Sequence, residues 1–153
     1  MKLSFSSDLL KVVISIGNPL KADDNIANLV VERLQKIIKD PRIKFLIGYT
    51  NPENFIECVR DLKPEKIFFV DVAFFPGEVG EVKLFKLNEI AERSISTTHD
   101  FPISIFKKFF PDSQIFLIGI KPKNLEFNQK ISRELEEKFE IICEKVKSMI
   151  EFT

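Results

Sequence analysis

The sequence has few of the residues that build disulfide frameworks and structural zinc sites. Among its 153 residues are one histidine, two cysteines and no tryptophan. The cysteines, Cys58 and Cys143, form no CxxC pair, which argues against both kinds of site. The helical pattern puts each on the apolar side of a helix, where a free thiol behaves as a small hydrophobic side chain. A reducing compartment is therefore expected.

An excess of one charge sign and long apolar runs are also missing. Lysine and arginine number 23, as do aspartate and glutamate, and the densest charged stretch, 133–147, mixes both signs. A nucleic-acid binder usually carries a basic stripe, and none is present. The chain has no run of about 18 apolar residues for a membrane span and no secretory signal in its first ten residues. We expect a cytoplasmic protein with neither nucleic acid nor membrane as partner.

What the sequence does contain is enough apolar surface for a substantial core. Apolar residues make up 44% of the chain, with 16 phenylalanines against one tyrosine. Because a phenylalanine ring has no polar group to satisfy, most of these rings are expected inside the fold. The length suits one domain, so we predict a single domain over residues 1–153.

Short β-rich runs alternate with helical patterns along the chain, which predicts an α/β fold. The expected architecture is a three-layer sandwich, in which a mostly parallel, twisted sheet of about five strands has helices on both faces. The predicted strands are 11–17, 43–48, 67–71, 82–87 and 115–120, the fourth of them antiparallel at an edge. The predicted helices are 24–39, a segment after 50–54, 88–93, 102–109 and one continuous C-terminal helix, 127–150.

In open α/β sheets, ligands bind beyond the carboxyl ends of the strands. Asp23 and Asp24 close the turn after the first strand, Asp71 ends the third, and His99 lies in the polar loop before the last helix and strand. Two carboxylates and an imidazole can hold nickel, zinc, iron or manganese and leave positions open for water or substrate.

Each of these residues also has a simpler structural explanation. Asp23 or Asp24 can cap the following helix and complement its dipole. Asp71 can be a solvated strand end, and a lone loop histidine is often solvated or locally hydrogen-bonded. A phosphate site is disfavoured, because GNPLKADD lacks the repeated glycines and the GK[ST] ending of a phosphate loop. The residues alone leave the ligand set and the structural roles both open.

Six ordered segments resemble the hydrogenase maturation endopeptidases, above all the branch that processes hydrogenase 3-type and related archaeal [NiFe] hydrogenases, including the F420-reducing type. The segments are IGNPLKADD, TNPEN, RDLKPEKIFFVDVA, PGEV, TTHDFP and IFLIGIKP. The resemblance implies an aspartyl-type endopeptidase that removes a C-terminal peptide from the hydrogenase large-subunit precursor after nickel insertion. Matched position by position, it places the metal-contacting and catalytic roles on Asp24, Asp71 and His99.

The resemblance also implies that nickel arrives with the substrate and is not a resident cofactor. The expected partner is the large-subunit precursor, and the expected oligomeric state is a monomer or a weak oligomer. Asp24 or Asp71 is the candidate general base, because no serine or cysteine stands beside a histidine as an activated nucleophile.

The chain departs from the family pattern at two places. Asn25 and Ala27 stand where glycines are common, and Ile47-Gly48-Tyr49 replaces the usual Asp-Gly-Gly. The missing aspartate keeps open a nickel-checking chaperone that holds the large subunit without cutting it. A third alternative is an unrelated metal-assisted hydrolase on a similar sheet.

Overall fold

The computed structural model describes residues 9–92, 95–97 and 100–153. Its strands are β1 Lys11–Ser15, β2 Ile43–Ile47, β3 Lys66–Phe74, β4 Val82–Lys86, β5 Ser96–Thr97 and β6 Gln114–Ile120. Its helices are α1 Ile26–Ile37, α2 Ile56–Leu62, α3 Leu87–Glu92, α4 Asp100–Phe109, α5 Arg133–Glu137 and α6 Phe139–Phe152. Short 3-10 turns, Ala22–Asn25 and Pro52–Phe55, precede α1 and α2.

The sheet has the strand order β2-β1-β3-β6-β4. The first four of these strands are mutually parallel, and β4 runs antiparallel to β6 at the edge. The two-residue strand β5 pairs antiparallel with the far end of β3. The predicted α/β class, the mostly parallel sheet and the antiparallel fourth strand are therefore confirmed.

Alternating side chains of the strands divide the core into two clusters, one on each face of the sheet. Phe68 and Val70 of β3 pack with α1 and α6. Ile67 and Phe69 of the same strand pack with α2 and α4. Of the 14 phenylalanines whose side chains the structure describes, seven are buried and three partly buried, whereas Phe74, Phe109, Phe127 and Phe152 are exposed. None of the described helices is long and apolar enough to span a membrane.

The predicted C-terminal helix is wrong in its start and in its continuity. Residues 121–132 form a loop in which Asn128 adopts a left-handed φ of 61°, a conformation that asparagine tolerates and a helix does not contain. Helix α5 begins only after Ser132, whose side chain accepts a hydrogen bond from the backbone N–H of Leu135. The spacing of apolar residues continues unchanged from α5 into α6, so the sequence pattern gave no sign of the break between the two helices.

The predicted environment of Cys58 is also wrong, because this thiol is exposed, whereas Cys143 is buried as expected. Helix α2 has seven residues and fully buries only Val59. The apolar face of so short a helix is narrower than its sequence pattern suggests, and Cys58 falls outside it.

Candidate active site at the carboxyl ends of the strands

Asp24 is a buried carboxylate just beyond the carboxyl end of β1, with an exposed fraction of 1%. Its Oδ2 accepts a hydrogen bond of 2.9 Å from the backbone N–H of Asn18. Its backbone carbonyl lies so near Gly17 that a Cβ atom there would be 1.9 Å from the oxygen. The turn after β1 therefore closes on Asp24 only because residue 17 has no side chain.

Asp71 lies inside β3, because the strand continues three residues further to Phe74. The prediction that Asp71 ends its strand is therefore wrong, and so is the alternative of a solvated strand end, since Asp71 is fully buried. Its Oδ1 accepts a hydrogen bond of 2.8 Å from the N–H of Val72. Asp71 nevertheless lies where the β1 ladder stops, because the last residue of β1, Ser15, pairs with Val70.

The fold brings Asp24 and Asp71 to the same end of two neighbouring strands. Beyond the ladder, the N–H of Ile16 donates to the carbonyl of Val70 at 2.9 Å, so the chain leaving β1 still runs beside β3. The 3-10 turn that carries Asp24 also contacts β3. The sheet thus gathers two buried acidic groups where the strand-end rule expects a ligand site.

His99 lies outside the described residues, so its predicted place beside the two aspartates stays a prediction. In sequence, the described strand next to His99 is β5. Its residue Thr97 pairs with Ala73, which lies two residues beyond Asp71 in β3. In the described ranges, which leave out His99, no three histidine, cysteine, aspartate or glutamate side chains are grouped closely enough to hold a metal ion.

Asp23 has a different role from its neighbour Asp24. Its fully buried carboxylate accepts backbone hydrogen bonds from Lys123 and Asn124 through Oδ2, at 2.8 and 2.9 Å. Its Oδ1 accepts a third, of 2.5 Å, from Ser132. Asp23 thereby fastens the loop after β6 to the turn that carries Asp24.

The helix-capping alternative for the two aspartates is wrong. Helix α1 begins at Ile26 after the cap residue Asn25, and no side chain caps its first turn. Asp23 binds the loop after β6 instead, and Asp24 binds back to Asn18. Neither carboxylate therefore caps the first turn of α1.

A polar network around Asn28 holds the turn after β1 in place. The Ser15 hydroxyl donates to Asn28 Oδ1 at 2.8 Å, and Asn28 Nδ2 donates to the carbonyl of Gly17 and to Asn25 Oδ1, each at 2.9 Å. The N–H of Gly48 donates to the carbonyl of Ser15 at 2.9 Å. Buried polar groups joined in this way hold one geometry, so the network fixes the backbone on which Asp24 stands.

Comparison with known proteins decides the family. A family model described as hydrogenase maturation protease matches residues 29–149. A Methanocaldococcus jannaschii protein provisionally named a hydrogenase maturation protease is 36% identical over 126 residues, which cover 76% of this chain and 74% of that protein. The chain belongs to the hydrogenase maturation protease family. The sequence resemblance and the prediction of a protease are both confirmed, and an unrelated hydrolase loses its support.

Other members of the hydrogenase maturation protease family agree in extent and in fold. The hydrogenase 3 maturation protease of Escherichia coli is 24% identical over 139 residues, covering 88% of this chain and 87% of its own. The crystal structure of a [NiFe] hydrogenase maturation protease from Thermococcus kodakarensis superposes with a TM-score of 0.78 at 28% identity, covering 96% of each chain.

The segment Ile47-Gly48-Tyr49, at which the sequence resemblance breaks down, lies at the end of β2. Ile47 is the last residue of β2 and packs, partly buried, on the core cluster of α1 and α6. Tyr49, two residues on, has an exposed fraction of 47% and a φ of 50°. This segment therefore contributes one partly buried apolar side chain and one exposed ring.

Proposed function

We propose that this chain is the endopeptidase that removes a C-terminal peptide from a [NiFe] hydrogenase large-subunit precursor after nickel insertion, and that it recognises the nickel carried by that precursor. The observation that supports this most strongly is the pair of buried carboxylates, Asp24 and Asp71, at one end of neighbouring strands. Within a hydrogenase maturation protease, such a pair suits a divalent metal presented by the substrate.

Asp24, Asp71 and His99 are the proposed nickel contacts. The hydrogen bonds from Asn18 and Val72 orient the two carboxylates, as outer partners do for metal ligands generally. Asp71 lies on the sheet face that α4 covers, and α4 begins at Asp100, directly after His99 in sequence. Three protein ligands leave positions on the ion for the groups of the precursor that already hold it.

The same geometry supports an aspartyl-type reaction. Nickel held between precursor and protease fixes the scissile peptide against the site, which contributes by positioning. Asp24 or Asp71 then takes the proton of the attacking water as general base. Thiol chemistry has no support at this strand end, because Cys143 is buried on α6 and Cys58 lies on α2.

The experiment is cleavage of nickel-loaded precursor by the wild type, Asp24→Asn, Asp71→Asn and His99→Ala, followed by mass spectrometry. Each substitution should lower the rate by at least about 100-fold, since each removes a metal contact. Asp112→Asn is the matched control, because Asp112 is exposed in the turn before β6 begins. Full activity in His99→Ala would contradict the proposal.

A second function, a nickel-checking chaperone that does not cut, is favoured by one observation. Ile47 and Tyr49 stand where the family resemblance leads us to expect an aspartate and a glycine. Precursor that binds firmly to the wild type but never loses mass would support the chaperone and exclude the endopeptidase.

A further inference from the structure

We propose that Tyr49 contacts the precursor peptide next to the scissile bond, through an apolar side chain of that peptide, and so determines which precursor this chain accepts. This inference rests on the proposed endopeptidase function and deepens it. Three observations carry it: the backbone conformation of Tyr49, the exposure of its ring, and its connection to Asp24.

The backbone of Tyr49 adopts a conformation that favours glycine. It is the first central residue of a turn closed by a hydrogen bond of 3.1 Å from the N–H of Asn51 to the carbonyl of Gly48. Its φ is 50°, in the left-handed region that L side chains rarely occupy. Bulky residues held there cluster at ligand-binding sites, where the surrounding structure imposes the strain.

The surrounding structure does impose this conformation. The N–H of Gly48 donates to the carbonyl of Ser15 at 2.9 Å, and the carbonyl of Tyr49 accepts from the N–H of Gly17 at 2.8 Å. These two hydrogen bonds lie on either side of the N–Cα bond of Tyr49, whose φ angle is the strained one. They hold the turn to Ser15 of β1 and to Gly17 just after it. Tyr49 is also an exposed residue, with an exposed fraction of 47%, so its ring is accessible to a binding partner.

Hydrogen bonds also connect the backbone of Tyr49 to the turn that carries Asp24. Gly17 donates to the carbonyl of Tyr49, and the next residue, Asn18, donates to Oδ2 of Asp24. Two consecutive N–H groups therefore join the tyrosine backbone to the proposed nickel ligand. The Asn18 side chain also accepts from the N–H of Leu20, whose exposed fraction is 61%.

This arrangement fits a peptide with an apolar side chain near the cleaved bond. A tyrosine ring offers a large, rigid apolar surface with a polar tip at little entropic cost. Leu20 adds a second exposed apolar side chain, on the turn after β1 that also carries Asp24. An acidic or strongly hydrated side chain at that peptide position would lose its water against these groups without an ionic partner.

Lys63 provides a matched control for the backbone. It also has a φ of 50°, but it is exposed at the C-terminal end of α2. Replacing Lys63 with glycine relieves the same kind of strain away from the turn that carries Asp24. Any change common to Lys63→Gly and Tyr49→Gly therefore comes from the backbone and not from the ring.

The test is steady-state cleavage of the nickel-loaded precursor by the wild type, Tyr49→Gly, Tyr49→Ala, Tyr49→Phe and Lys63→Gly. Tyr49→Gly and Tyr49→Ala should each raise KM by about tenfold with kcat within about twofold, since a buried aromatic contact is lost on truncation. Tyr49→Phe and Lys63→Gly should keep KM within about twofold of the wild-type value. The melting temperature of Tyr49→Gly should not fall, because the strain is relieved.

A precursor variant identifies the contacted position. Replacing an apolar residue beside the scissile bond with aspartate should raise KM for the wild type but raise it little further for Tyr49→Ala. Unchanged KM in both Tyr49 truncations, or a rise in Tyr49→Gly alone, overturns the ring contact. Failure of the wild type to cleave the precursor overturns the proposed function and this inference together, whereas normal cleavage by every variant overturns the inference alone.

Discussion

The carboxylate of Asp23 accepts a hydrogen bond from the backbone N–H of Ser132, 109 residues later in the chain. With the bonds from Lys123 and Asn124, it joins the loop after β6 to the turn after β1. The immediate neighbour of Asp23 in sequence is Asp24, the proposed nickel ligand. Of these two adjacent aspartates, Asp23 holds two distant loops together, and Asp24 is the one proposed to contact nickel.

Asp23→Asn should destabilise the fold by about 2–3 kcal/mol, because an amide group replaces a charged acceptor and presents N–H to backbone N–H. Urea unfolding of the variant and of Asp112→Asn measures the difference. Asp112 is exposed, so its variant should stay within about 0.5 kcal/mol of the wild type. Equal stability of the two variants would show that the Asp23 bonds contribute nothing.

Gly17→Ala should displace Asp24 and remove activity while the chain remains folded. The new methyl group would meet the carbonyl oxygen of Asp24 at 1.9 Å, and that oxygen belongs to the backbone, so it cannot rotate away. Overpacking of this kind costs about 1–3 kcal/mol. Circular dichroism monitors the fold, and precursor cleavage monitors the site. Wild-type cleavage by a folded Gly17→Ala protein would contradict the described turn.

The two cysteines should react very differently with Ellman's reagent near neutral pH. Cys58 is exposed and should react at once, whereas Cys143 is buried and burial raises the pKa of its thiol to about 11. Only unfolding should release the second thiol. In Cys58→Ser the fast reaction should disappear, and a rapid reaction that persists there would contradict the burial of Cys143.

The pKa of Cys143 also sets the sign of a stability change in alkali. Between the ordinary thiol value of 9.0 and about 11, the folded chain keeps a proton that the unfolded chain loses. The contribution of Cys143 to stability is therefore complete below pH 9 and falls as the pH rises toward about 11. The free energy of unfolding of the wild type should fall more steeply over this window than that of Cys143→Ala.

The sequence predicted those parts of the fold that depend on local pattern. Apolar runs identified β1, β2 and β6, and alternation of strands with helices identified the parallel sheet. The strand-end rule then selected Asp24 and Asp71, since the carboxyl ends of parallel strands meet at one edge. The parallel topology explains why the two aspartates lie at the same end of the sheet, but the sequence did not predict that both are buried.

Other features depend on contacts that no local pattern contains. The partners of Asp23 lie about a hundred residues away, so its role looked like that of a helix cap. Strand β5 has two residues within a polar segment and exists through its pairing with Ala73 and Phe74. Tyr49 differs from its family in sequence, but its left-handed backbone is visible only in the structure.

The most direct test of the central claim is the mass of the large-subunit precursor after incubation with the wild-type protein, with and without nickel loaded beforehand. The nickel-loaded precursor should lose its C-terminal peptide, and the mass of the nickel-free precursor should stay unchanged. Equal cleavage of both forms would contradict the reading of nickel by Asp24, Asp71 and His99.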